Sequence, residues 1–390
     1  MTLTKAVPME QIRKIFENRQ VLLLVVALGL AARLAMATLG HNFDITSWFI
    51  VADIRHHGGN VYAETDRYNY GPVWFLVLQA LDVLSGHHHA VLRYLLTLFL
   101  SLVDLGIFWL LCRLAGGWAA ALFFLNPVSI LITGYHCQFD NLAILLALCS
   151  VRLFGDDFAS PLGRRKILGL IVLGVSLMAK HLFFAFPLWL ALKQKGFGQK
   201  IVVLFLPVVC FLAGFAPYWH HGSQGILSDV FWYTPTMTGF FYKSFVPPCV
   251  QHVWTGESLW YLLLILFAFI CRTRNGFESA LIYSGVLVAF SASTANQYLV
   301  IPMALASVFP NPLFIAFTVL ATIHICADAT VGPHLLGAVP LPCNQLAVGT
   351  LCGALAWHLW RGQWFKLLQN IGREVAVQFG RGGGPADGIT

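Results

Sequence analysis

The stretch "GYHCQFDNLAILLAL" (134–148) sets His136, Gln138, Asp140 and Asn141 at the head of a run that is otherwise hydrocarbon. An imidazole, a carboxylate and two amides this close together suit the hydroxyls and phosphate of a polar ligand. They equally suit a helix start in which Asp140 caps the helix and His136 lies among lipid headgroups. A second interruption comes at Lys180 and His181, which divide another apolar stretch. A break in a buried helix leaves backbone groups seeking partners, and a lysine there suits a phosphate; snorkelling of the long side chain is the other reading. Asp44 follows the first apolar run directly. A carboxylate there can take a proton from an alcohol, and the same position is a natural N-cap. Asn296, Gln297 and Tyr298 open a later apolar run, where polar residues serve as an interface cap or as ligand contacts.

The elements that must hold these groups follow from composition. The 390 residues are 58% hydrophobic and only 11% charged, with a mean hydropathy of +0.73. A soluble domain carries about 25% charged residues. The chain therefore reads as an all-α polytopic membrane protein, since helices satisfy their own backbone groups in lipid. Its 31 Phe, 12 Trp and 11 Tyr suit aromatic belts at the two interfaces. The net charge of +7 comes from Lys and Arg in short loops and at the ends. That is a topology signal and not a nucleic-acid footprint. The nine cysteines form no CxxC. Cys137, Cys249 and Cys343 fall in outer loops, and one disulfide among them or three free thiols both remain open.

Lys5, Arg13, Lys14 and Arg19 precede the first span, residues 21–40, so the N-terminus faces the cytoplasm. That span is too long for a signal peptide and reads as uncleaved. The later basic residues are Arg113, then Arg152 with Arg164 to Lys166, then Lys193 to Lys200, then Arg272 and Arg274, then Arg361 to Arg381. Keeping all of them inside forces 92–111 inward, 115–133 outward and 138–151 inward. Residues 72–85, about 14 in number, are too few to cross about 30 Å of hydrocarbon. They are placed in the interface, within an outer loop that spans 41–91. Segments 167–179 and 182–192 form a pair broken at Lys180. Segments 201–218, 257–271, 277–294, 298–309, 313–326 and 344–360 complete about 11 helices. Between them lies a second outer loop, 219–256. Arg33 and Asp104 fall at similar depth, and a structural role is expected for them, either as an ion pair or with Arg33 snorkelling.

The first outer loop reads "HNFDITSWFIVADIRHHGGNVYAETDRYNYGPVWFLVL". Ile45, Trp48, Phe49 and Ala52 share one helix face, which predicts an interfacial helix ending at Gly58-Gly59. Tyr68, Tyr70 and Trp74 offer faces on which sugars stack, or simply belong to the aromatic belt. Arg67 offers a phosphate partner.

An acidic residue just after the first span, a short amphipathic helix and then "VYAETDRYNYGPVWFLVL" resemble the first lumenal loop of type-C glycosyltransferases (GT-C). The GPI mannosyltransferase I family, with its Y…Y-T-P-L run, and the dolichyl-phosphate-glucose glucosyltransferases, with D-Y-P-P, are the nearest in pattern. "NPVSILITGYHCQFDNLAILLAL" (126–148) resembles the HGHFQYN region of those glucosyltransferases. "MAKHLFFAFP" (178–187) is similar to their K-Q segment, and "STANQYLVIPM" (293–303) to the S-Q-Y run of GPI mannosyltransferase I. The ordered set covers roughly residues 20–305. Where the family often shows D-x-D or E-D, "FDIT" carries the single acid Asp44.

The resemblance implies an outward-facing cavity and a hexosyltransferase. It would move mannose or glucose, with inversion, from a polyprenyl- or dolichyl-phosphate monosaccharide to a glycan, glycolipid or protein acceptor. Asp44 becomes the general base. Lys180, Arg67 and Lys243 become partners of the donor phosphate. His136, Gln138, Asp140, Asn141, His181, Tyr68, Tyr70, Gln297 and Tyr298 become substrate contacts. No metal and no cofactor are implied. Residues 1–20 would be a cytoplasmic start, 21–305 the catalytic module, 306–360 further spans and 361–390 a cytoplasmic, partly disordered tail. A bacterial inner membrane is favoured over an ER membrane, with the active site on the periplasmic or lumenal side.

A transporter or lipid-linked-sugar flippase also uses broken helices and intramembrane charges. It should show internal repeats and a polar path to both faces, and here the polar groups gather on one side. A non-catalytic subunit would have no need of Asp44. The histidine groups 56–57, 87–89 and 220–221 match neither zincin nor deaminase spacing.

Overall fold

Residues 21–38 read VLLLVVALGLAARLAMAT, apolar on every side but for one arginine, and they form a single helix. The computed structural model describes residues 9–233, 239–293, 295–327, 332–337, 339 and 341–380, side chains excepted at 9, 12 and 362–380. The end of the expected tail, 381–390, lies outside the described residues. After α1 (Met9–Ile15), Asn18 caps α2 (Arg19–Thr38) by accepting from the Gln20 N–H. Next come α3 (Phe43–His56), α4 (Val61–Glu64), α5 (Pro72–Leu84) and α6 (His89–Leu114). The chain returns through α7 (Gly117–Phe124), α8 (Pro127–Leu131) and a wide π-type turn over Ile132–His136. It continues through α9 (Asp140–Phe154), α10 (Arg164–Ala179), α11 (Phe186–Ala191) and α12 (Phe197–Ala213). The rest comprises α13 (Trp219–Gly225), α14 (Phe240–Phe245), α15 (Pro248–Gln251), α16 (Gly256–Ile270), α17 (Gly276–Ala289), α18 (Met303–Val308), α19 (Pro312–Ala327) and α20 (Cys343–Gly380). No strand occurs among the described residues.

Three continuous helical stretches are long and apolar enough to cross a membrane: Arg19–Thr38, His89–Leu114 and Phe197–Phe231. Gly117–Phe124 and Pro127–His136 make a further span bent by 47°. The chain is a multi-pass helical membrane protein. Other apolar helices are shorter than the about 20 residues a straight crossing takes. α9 has 15 residues and α10 has 16, because polar turns at Gln138 and Lys180 interrupt them. α5 has only 13 residues; Trp74, Phe75 and Leu78 are buried against the protein while Val83 and Leu84 stay exposed.

Arg33 and Asp104 do pair. Arg33 Nε donates to Asp104 Oδ2 at 2.9 Å, and both side chains are 0% exposed. Such a pair is tolerable only when its remaining donors and acceptors are used. Arg33 also donates to the carbonyls of Gly29 (3.1 Å) and Phe124 (2.8 Å) and to Ser129 Oγ (2.9 Å). Asp104 accepts further from Thr133 (2.7 Å), Ser129 (3.3 Å) and Asn141 (2.6 Å). This network clamps α2, α6, the π-turn and α9 together.

The basic loops converge at one end of the bundle. Arg165 donates to the Arg152 carbonyl, Lys193 donates to the carbonyls of Cys271 and Arg274, and Asp156 accepts from the Gly276 N–H. Where α2 and α10 finish and α6 and α9 begin, the bundle has its other, aromatic end. There Trp48, Trp74, Phe75 and Phe139 form a core separate from the large one between the helices. All nine cysteines are free: Cys137 and Cys343 are buried and Cys249 is exposed, so no disulfide joins them.

Candidate active site

The first outer segment is built as its periodicity predicts. Ile45, Trp48 and Ala52 of α3 are buried, with Ser47 and Val51 added and Phe49 only half-buried. Asp44 lies in the first turn, where the helix dipole favours a negative charge. The cap position belongs to Asn42 instead. The Asn42 amide donates to Asp44 Oδ2 at 2.9 Å and meets His136 Nδ1 at 2.8 Å. Both hydrogens of that amide are then in use, and Asp44 Oδ1 stays outside the bridge. His136 is buried at the end of the π-turn.

Arg93 holds that turn. The residue is 6% exposed, and its guanidinium donates to the carbonyls of Gly40 (3.1 Å), Gly134 (2.8 Å) and Tyr135 (3.2 Å), and to Cys137 Sγ (2.7 Å). Gly134 is required by close approach: a Cβ there would lie 2.7 Å from the Arg33 carbonyl and from Met36 Cβ. The polar opening of α9 is thereby locked onto the end of α2, from which Asp44 departs.

Phe139 ties the same opening to the outer loop. It stacks on Trp74 at 4.1 Å and 9° between planes, and meets Trp48 at 5.5 Å and Tyr70 at 4.8 Å. Asp140 is not the cap of α9; Phe139 holds that position with no side-chain cap bond. The Asp140 carboxylate turns to Lys180, with Oδ2 2.8 Å from Nζ. Gln138 Oε1 is 3.5 Å from the same nitrogen. Lys180 is 3% exposed and extended (φ −152°, ψ 124°), where α10 gives way to a 3₁₀ turn. Its ammonium does not snorkel; it lies 5.0 Å from the Phe139 ring, 5.2 Å from Tyr70 and 5.8 Å from Tyr298. An ammonium has three N–H donors, and two are accounted for. Gly71 lets the outer loop reach this point, since a Cβ there would lie 2.2 Å from the Met178 carbonyl.

A cavity of about 190 Å³ opens beside Lys180, lined by Tyr70, His181, Tyr233, Gln297 and Tyr298 among others. Burial holds the Tyr70 phenol well above its ordinary range, and the charges of Tyr298, Asp44 and Asp140 push the same way. Tyr70 therefore stays a neutral hydroxyl between the Asp44 and Lys180 sides of the site. A buried cation, a hydroxyl, amides and a nearby half-buried carboxylate can bind a phosphate and take a proton from an alcohol.

The structure thus gathers Lys180, His181, Tyr70, Gln297 and Tyr298 at the cavity, with Gln138 and Asp140 behind Lys180. Five expectations land elsewhere. Asn141 turns away to Asp104. Tyr68 is fully buried, donating to the Gly71 carbonyl at 2.6 Å and accepting from the Phe75 N–H at 3.1 Å. Trp74 is likewise fully buried and offers no face to a sugar. Lys243 is exposed on α14, outside the cavity lining. Arg67 stacks on Phe43 at 3.7 Å, next to Asp44 in sequence and outside the lining as well. Asn42, Arg93, Phe139 and Tyr233 were not anticipated. Arg93 left a signal, as a charge within "AVLRYLLTLFL"; Asn42 left none beyond its nearness to Asp44.

No family model matches the chain, and no curated protein matches it in sequence. Among solved structures, the apo crystal structure of ArnT from Cupriavidus metallidurans shares the architecture. The TM-score is 0.50 at 13% identity, covering 86% of this chain and 76% of that one. At that identity the likeness is one of fold alone.

Proposed function

We propose, with the ArnT-like fold as the premise, that this chain is a glycosyltransferase that uses a polyprenyl-phosphate-linked sugar. The observation that carries the reading is the buried Lys180 at the cavity, held at 2.8 Å by Asp140. Asp44 stands on the neighbouring element, its carboxylate oriented by Asn42. In the reaction Asp44 Oδ1 takes the proton of the acceptor hydroxyl as that oxygen bonds to the sugar's anomeric carbon. The bond from that carbon to the phosphate oxygen breaks on the opposite face, and the configuration inverts. Phosphate is already a good leaving group, so the largest help comes from the charge and donors that meet it. Lys180 supplies both, and Tyr70 and Tyr298 wall off water. The module spans 21–305, and the cavity faces the periplasm or lumen of a membrane, a bacterial inner membrane first. That side is supported by the basic loops, which gather at the opposite end. Within this reading the sugar is a hexose, mannose or glucose, and the resemblance in the motifs is its support.

The test is transfer from synthetic polyprenyl-phosphate glucose, mannose and arabinose by the purified protein in detergent. Asp44→Asn is expected to cut turnover by about 10²–10⁴ with unchanged thermal stability. Equal turnover in wild type and variant would remove the general base. Absence of transfer from every donor would move the assignment to a transporter of lipid-linked sugars.

A further inference from the structure

The far end of the first outer segment carries a cluster that the proposed reaction does not use. His56 closes α3, Asp82 lies in the last turn of α5, and His87 stands in the turn before α6. One donor atom from each lies within 4.8 Å of the others. His87 Nδ1 is 2.6 Å from Asp82 Oδ2, and the His56 and His87 rings are 3.7 Å apart, centroid to centroid. Asp82 is 3% exposed, and its Oδ1 is buried without a hydrogen-bond partner among the described residues. A carboxylate oxygen taken from water and given no partner is costly. His87 takes a left-handed backbone (φ 63°), uncommon for a residue with a side chain, and its N–H donates to the Asp82 carbonyl at 3.1 Å. The two histidines are exposed, so solvent reaches the cluster.

We infer that His56, Asp82 and His87 bind a divalent transition-metal ion of the zinc class, outside the proposed catalytic cavity. Two imidazoles and a carboxylate are a nitrogen and oxygen donor set that suits zinc. A tetrahedral zinc with bonds of about 2.0–2.1 Å keeps its donors about 3.3 Å apart. The gaps here run from 2.6 Å in one pair up to a 4.8 Å limit, so small side-chain rotations bring the atoms to that spacing. Neighbouring groups are engaged elsewhere: His57 Nδ1 meets the Asp53 carbonyl at 2.8 Å, and His89 Nε2 meets Asp53 Oδ1 at 3.0 Å. The fourth position falls to water. The ion would fasten the end of α3 to the turn between α5 and α6. Because Asp44 lies in the first turn of α3, the clamp would fix the helix that carries the proposed base. This departs from the expectation of no metal drawn from the sequence.

The experiment uses the full chain in detergent, purified through a tag that contains no histidine and stripped with chelator. Zn(II) is titrated by calorimetry against a competing chelator, with stoichiometry by elemental analysis. Wild type should take up one Zn(II) per chain and unfold at a higher temperature with the ion than without it. His56→Ala and His87→Ala should each weaken binding at least about tenfold, the loss seen on removing even an outer partner of a metal site. The paired variant His220→Ala/His221→Ala should bind as wild type does. No stoichiometric uptake by wild type, or wild-type affinity in either single variant, overturns the assignment. The readout is independent of turnover, so it stands or falls apart from the proposed enzyme activity.

Discussion

Removing the Lys180 ammonium separates its two tasks. Lys180 and Asp140 are 3% and 0% exposed and 2.8 Å apart. Lys180→Met keeps most of the side-chain volume and leaves Asp140 buried without its cation. Breaking a buried pair from one side costs about 3–5 kcal/mol. In the proposed reaction the same change also strips charge stabilisation from the departing phosphate, worth about 3–4 kcal/mol or 10²–10³ in kcat. Adding Asp140→Asn removes the orphaned charge. The double variant should recover most of the lost thermal stability and none of the turnover. Unfolding followed by tryptophan fluorescence in detergent, alongside transfer from a radiolabelled donor, reads both quantities on the same preparations. If the double variant regains activity to within about tenfold of wild type, Lys180 serves the fold alone and its role toward phosphate is wrong. If Lys180→Met is as stable as wild type, the buried pair is not the prop described here.

Asp104→Asn should destabilise the protein by about 3–5 kcal/mol, because Arg33 keeps its charge in a site with 0% exposure. The exchanged pair Arg33→Asp with Asp104→Arg should not restore expression in a fluorescence-tagged yield assay. An arginine at 104 cannot reproduce the contacts Arg33 makes to the Gly29 and Phe124 carbonyls; full rescue would show that opposite charge alone suffices. Gly71→Ala should cost about 1–3 kcal/mol by overpacking, since its Cβ would lie 2.2 Å from the Met178 carbonyl. The same variant should lower transfer by displacing Tyr70, and wild-type melting and turnover would refute the close approach.

Much of the framework was legible because it rests on local rules. Four apolar positions at helical spacing gave α3, and two charges at matching depth gave the Arg33–Asp104 pair. The interruption at Lys180 marked a real helix end. What stayed hidden depends on partners distant in sequence. Asp140 reads as a substrate contact or a cap until Lys180, 40 residues away, is seen to claim its carboxylate. Tyr68 and Trp74 resemble sugar platforms by type, yet both are spent on the aromatic core around Phe139. Asn141 belongs by spacing with Asp140, but adjacent residues on a helix diverge by about 100°, and it serves Asp104. His56 and His87 match no short motif because the α3–α5 hairpin, and not the sequence interval, brings them together.

The grip of Arg93 on the π-turn has a consequence for chain length. Its bonds to the Gly134 and Tyr135 carbonyls and to Cys137 Sγ anchor the chain up to Cys137. Asp140 follows Cys137 by three positions. An added or missing residue in that interval slides α9 by one place and swings its face about 100°, presenting a different side chain to Lys180. The interval works as a ruler. Its residue count sets which group meets the lysine.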